Sequence, residues 1–105
     1  MGEAKFFTVT TNAVQNVSRG KIAIQGILWH NDHTSTMFMQ IFDVIAGNVV
    51  LGTTVPTTVL QLGADQVKDF PFWDAVFQTA FSFAITDTRS GSTAAGTHDV
   101  TVVVQ

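Results

Sequence analysis

Residues 35–46 read Ser35-Thr36-Met37-Phe38-Met39-Gln40-Ile41-Phe42-Asp43-Val44-Ile45-Ala46, and both alternating side-chain sets are apolar. In a strand, successive side chains point to opposite faces. Phe38, Phe42 and Val44 therefore share one face with Gln40, while Met37, Met39, Ile41 and Ile45 share the other with Asp43. A strand with one wet face would carry a polar residue at every second position. Here both faces call for cover. A chain of 105 residues supplies one core, so the second cover is expected from another subunit.

The composition points the same way. Hydrophobic residues make up 46% of the chain and charged residues only 12%, the opposite of the balance that keeps a chain disordered. Threonine is abundant and β-branched, which favours strands, and good helix formers are scarce. The net charge is −3. The five Lys and Arg residues are scattered along the chain, whereas nucleic acid is held by clustered cations. Neither nucleic acid nor membrane is an expected partner. The N-terminal residues carry no apolar secretion signal, and no segment reaches the length of a membrane span. A protein made in a cytoplasm is expected. Cysteine is absent, which rules out disulfide and thiolate sites.

Outward from 35–46, strand-like runs alternate with turn residues. Residues 5–11 and 20–30 precede it, and Gly26 breaks the alternation of Ile22 and Ile24, as a bulge would. Gly47-Asn48 marks a turn and Thr53–Pro56 an extended connector. Residues 57–62 read as a strand. In 66–74, Pro71 demotes the segment to an edge strand or loop, and a helical turn within 64–79 is an alternative. Residues 77–88 place Phe77, Phe81, Phe83 and Ile85 on one face, given a bulge near Thr79, and the small Ala80, Ser82 and Ala84 on the other. A Gly/Ser/Thr loop at 89–96 leads to a closing strand at 97–104. Seven to eight short strands predict an all-β fold: one antiparallel β-sandwich over 1–105, of jelly-roll or immunoglobulin-like topology. Residues 1–12 form either a strand of that domain or an arm exchanged with a neighbour.

Potential chemistry is sparse. His30, Asp32 and His33 are the densest set of metal-ligand types, with His98 or Asp99 available if the closing strand ends beside them. A strand-end turn is also the ordinary home of such residues, so no metal or other cofactor is expected. Asp69 and Asp74 flank Phe70, Phe72 and Trp73. That arrangement admits a sugar-stacking site, or aromatics that plug the sandwich or pack on a neighbour. The serines form no nucleophile elbow and the glycines no phosphate loop. No catalytic residue is assigned and no enzymatic activity is expected.

In order, Met39-Gln40-Ile41-Phe42-Asp43, Leu51-Gly52-Thr53-Thr54-Val55-Pro56, Phe81-Ser82-Phe83-Ala84-Ile85-Thr86 and Asp99-Val100-Thr101-Val102-Val103-Val104 resemble the segments of small β-sandwich virion proteins of tailed bacteriophages. The resemblance runs over about residues 20–104 through short structural motifs. It implies a sandwich, often trimeric, that decorates a capsid or forms part of a tail or fibre, and it transfers no catalytic residues. The expected function is therefore that of a virion structural protein, a capsid decoration or cement protein. It would bind copies of itself as a homotrimer and bridge a major capsid or tail protein. The alternative is a tail- or fibre-associated receptor- or carbohydrate-binding module using Trp29, Trp73 and the His30–His33 turn. The residues expected between subunits are Met37, Met39, Ile41, Phe70, Phe72 and Trp73.

Overall fold

Strands pair in a computed structural model as the two limbs of one long folded hairpin. β1 (Glu3–Val9) pairs with β8 (Thr97–Val104), and β2 (Gln15–Ser18) with β7 (Phe81–Thr86). β3 (Ile22–Asp32) pairs with β6 (Val67–Phe77), and β4 (Met37–Phe42) with β5 (Thr58–Leu62). The structure describes residues 3–92 and 97–105. The hairpin rolls up because β8 also pairs with β3 and β7 with β4. Two four-stranded antiparallel sheets result, ordered β1-β8-β3-β6 and β2-β7-β4-β5. That order is the jelly roll, and it decides between the two topologies the strand count leaves open. Residues 64–79, where a helical turn is the alternative, are the β5–β6 turn, β6 and the start of the β6–β7 turn.

The segment 3–9 is a domain strand. It pairs with β8 along its whole length. Inward side chains follow period two on both limbs of the first sheet: Val9, then Val100, Val102 and Val104, then Ile27 and Trp29 are buried. They meet Met37, Met39, Ile41, Phe81, Phe83 and Ile85 from the second sheet in one hydrophobic cluster. Burying each such side chain is worth about 1.5–3 kcal/mol. Phe81 stands edge-on to Phe77 at 4.5 Å between ring centroids, a favoured aromatic geometry.

The second cover of β4 comes from the chain itself, not from another subunit. Gln40 and Phe42, on the outer face of the second sheet, are fully buried. The β4–β5 connection folds back over that face and includes a short 3-10 turn, Ala46–Asn48. Its ends are tied to the sheet, since the Thr57 N–H donates to the Ile41 carbonyl at 2.8 Å and the Asp43 N–H to Thr57 Oγ1 at 3.1 Å. Ala80, Ser82 and Ala84 are small because this connection lies against them. Ser82 Oγ donates to the Val44 carbonyl at 2.8 Å. Beside it, Gln40 Nε2 donates to Thr86 Oγ1 at 2.8 Å and to the Gly91 carbonyl at 3.0 Å, fastening the start of the β7–β8 loop. The rest of that loop, 93–96, lies outside the described residues.

Candidate functional site

Met37, Met39 and Ile41 have no exposed surface. They sit between the sheets, so these three residues belong to the domain core and offer no flank to a partner. The physical reason is that these side chains face the first sheet across the sandwich, while the β4–β5 connection covers the opposite face of β4. Phe70 and Phe72 are half-buried and pack against the same core. Phe70 lies 6.2 Å from Trp29 between ring centroids, with the Lys68 ammonium over its ring at 5.1 Å. Trp29 is likewise core rather than a binding platform, and its indole is fully enclosed. Trp73 is the exception, at 82% exposed.

His30, Asn31 and Asp32 are the last residues of β3 rather than a turn, and His33 begins the loop after it, so the cluster is divided between different tasks. His30 lies on the outer face of the first sheet, its Nδ1 3.8 Å from Asp99 Oδ2. His33 Nδ1 is 2.9 Å from Ser35 Oγ. His98, one of the two possible additional ligands, points into the core and takes the Trp29 indole hydrogen bond. Among the described residues, no three His, Cys, Asp or Glu side chains gather as a metal site. The residue that organises this end is Asn31, which turn chemistry alone does not single out. Its buried amide Nδ2 donates to the carbonyls of Ser35, Leu62 and Gly63, stitching the β3–β4 loop to the β5–β6 turn. At the opposite end, Asp43 accepts from the backbone N–H groups of Gln78, Thr79 and Ala80 at 2.8–3.1 Å.

Two features of the first sheet face outward. The strand registers align Phe6, Thr101, Leu28 and Asp69 in one row across all four strands, and Thr8, Asp99, His30 and Val67 in the next. Phe6 is 78% exposed, Val67 61% and Leu28 44%. No segment of the described chain lies over these residues as the β4–β5 connection lies over the second sheet. The second feature is a bulge on edge strand β6. Ile24 pairs with Ala75 and Gly26 with Pro71, so Phe72, Trp73 and Asp74 stand opposite Gln25 alone. The same step shifts the β3–β8 register. The break expected at Gly26 is therefore a bulge on both sides of β3. A Cβ at Gly26 would lie 3.2 Å from the Phe70 carbonyl oxygen, which is why glycine stands there. Trp73 and Asp74 have φ of +47° and +59°. Left-handed backbone costs an ordinary residue about 1–2 kcal/mol, and for a bulky side chain it is rare.

Neither a family model nor a curated protein sequence matches the chain. Among solved structures, the crystal structure of PirA matches over 97% of this chain and 93% of that chain, at 14% identity and a TM-score of 0.51. A chain of the cyanophage Pam1 capsid asymmetric unit matches over 98% of this chain and 80% of that chain, at 18% identity and a TM-score of 0.33. The likeness to PirA is one of fold and agrees with an eight-stranded antiparallel jelly-roll sandwich. Among the described residues no helix is long and apolar enough to cross a membrane.

Proposed function

We propose that this protein is a non-enzymatic structural component of a phage virion, a capsid decoration or cement protein that works by stoichiometric contact. The observation that carries the reading is the uncovered outer face of the first sheet, where Phe6, Leu28 and Val67 stand exposed in adjacent rows. Its partners are copies of itself and a coat or tail protein, and no cofactor enters. The segment resemblance to small phage sandwich proteins supports the virion setting.

Magnitudes favour bridging over a single tight dimer. Four strands about 4.8 Å apart, seven residues long at about 3.3 Å each, give a footprint on the order of 450 Å². A stable pairwise interface buries about 800 Å² per partner. One such face makes a weak contact, and closed symmetry multiplies weak contacts through effective concentration. A homotrimer seated on a lattice fits that arithmetic.

The experiment is light scattering on the purified chain, wild type against Phe6→Asp and Leu28→Asp. An oligomer, a trimer on this reading, is expected for the wild type. Both substitutions should dissociate it with the circular dichroism unchanged. A wild-type monomer at micromolar concentration, together with absence of the chain from purified virions by mass spectrometry, would overturn the reading.

A further inference from the structure

The bulge on β6 carries a separate inference, independent of the assembly reading. Strand alternation resumes through it: Phe72 turns inward onto the core, with its ring 6.5 Å from that of Phe77. Trp73 is then thrown outward by its left-handed backbone. A residue held in that conformation, with 82% of its surface in water, contributes little to the core. Its cost is borne by the paired strands on either side, and such local strain is concentrated where a surface group is being presented.

Opposite the bulge stands a hydrogen-bonded pair of exposed primary amides. Gln25 is the β3 residue facing the bulge, and its Nε2 donates to Oε1 of Gln105 at 3.3 Å. Gln105 is fixed in turn by its backbone N–H, which donates to the Ala23 carbonyl at 3.0 Å. Both amides are exposed, as is the Asp74 carboxylate. We infer that Trp73, Gln25 and Gln105 form a shallow subsite for a neutral pyranose unit of a glycan. The apolar C–H face of a pyranose stacks on an indole, and its hydroxyls both donate and accept, which is what primary amides offer in return. Asp74, within the bulge itself, disfavours anionic ligands, so a neutral sugar is preferred over a phosphorylated or sulfated one.

The chain carries its own reporter. It has two tryptophans, of which Trp29 is enclosed and Trp73 exposed. Emission changes on binding therefore come from Trp73. The full-length protein is titrated with soluble cello-, manno-, xylo- and chito-oligosaccharides, and with a sulfated oligosaccharide as the anionic control. At least one neutral series should give a saturable blue shift. By isothermal titration calorimetry with the same oligosaccharides, which does not depend on the reporter, Trp73→Ala should abolish binding, Trp73→Tyr should retain it, and Gln25→Ala should weaken it by about tenfold, the scale of one lost hydrogen-bonding group. Because Trp73 is peripheral, circular dichroism of Trp73→Ala should match the wild type, and Trp73→Tyr tests the same platform should Trp73→Ala fold poorly. No saturable shift with any neutral series overturns the inference, as does calorimetric binding that survives Trp73→Ala. If Trp73→Ala instead changes the mass seen by light scattering, Trp73 is a subunit contact and the glycan subsite is refuted.

Discussion

Trp29 Nε1 donates to Nδ1 of His98 at 3.1 Å, with both rings buried and their centroids 5.8 Å apart. An acceptor at Nδ1 fixes the His98 tautomer, with the ring proton on Nε2. The pair ties β3 to β8 through side chains as well as through the ladder. Trp29→Phe keeps most of the apolar volume but removes the donor, which leaves a buried nitrogen without its indole partner. A loss of about 1–3 kcal/mol is expected, or roughly 4–8 °C in Tm for each kcal/mol in a domain of this size. Thermal melting monitored by far-ultraviolet circular dichroism reads it directly. An unchanged Tm would mean that the hydrogen bond carries no net weight.

Asp43 gives a pH-dependent prediction. Burial raises the pKa of its carboxyl, but the backbone N–H groups of Ala80, Thr79 and Gln78 outweigh that and hold it below the ordinary value of 3.8. A group whose pKa is depressed on folding stabilises the native state fully above its unfolded value. That contribution is lost as pH falls through the lower folded value. Asp43→Asn should therefore cost about 1–3 kcal/mol at neutral pH, where charge-assisted hydrogen bonds are lost. The gap between wild type and variant should narrow only in acid, below the ordinary carboxyl range. Urea melts at neutral pH and in that acid window make the comparison, and a pH-independent gap would refute the assignment.

The strand runs were legible because period-two burial leaves its mark on side-chain type, as in Val100, Val102 and Val104. Gly26 disclosed the bulge and Pro71 the edge strand, since each residue solves a backbone problem that few others can. What a run of side chains does not state is who covers it. The greasy outer face of β4 demanded a lid, and the lid proved to be residues 43–57 of the same chain. The row Ala80, Ser82, Ala84 was the available clue, since small side chains leave room for a backbone passing close by. Asn31 stayed hidden because an asparagine at a strand end is ordinary turn chemistry. Trp29 and Trp73 read alike as residue types, and only the register puts one in the core and the other on a bulge.

Gln40 tests how the outer face of the second sheet holds the start of the β7–β8 loop. Its Nε2 serves both Thr86 Oγ1 and the Gly91 carbonyl, while its Oε1 is buried without a partner in the structure. Gln40→Met preserves the length of the side chain and removes both donated bonds. The start of the β7–β8 loop should then come away from the sheet. Hydrogen exchange should rise in residues 87–92 and stay unchanged in β3 and β6. The accompanying stability loss should stay near 1–2 kcal/mol, because the unpartnered Oε1 and its desolvation cost are removed together with the bonds. Uniform exchange across the domain would contradict a local clasp.

Met39 separates a core role from a contact role. It is enclosed between the sheets, paired by register with Leu60 on one side and Ile85 on the other. A carboxylate placed there would be buried with no cation in reach, a cost larger than most small domains can absorb. Met39→Asp should therefore abolish the cooperative melt. Met39→Leu, close in volume, should cost under about 1.5 kcal/mol, and Met39→Ala about 2–5 kcal/mol through the cavity it leaves. A subunit contact would behave differently, with Met39→Asp folded and merely dissociated. Melting and light scattering on the three variants distinguish the outcomes, and a folded, monomeric Met39→Asp would move this strand from the interior to an interface.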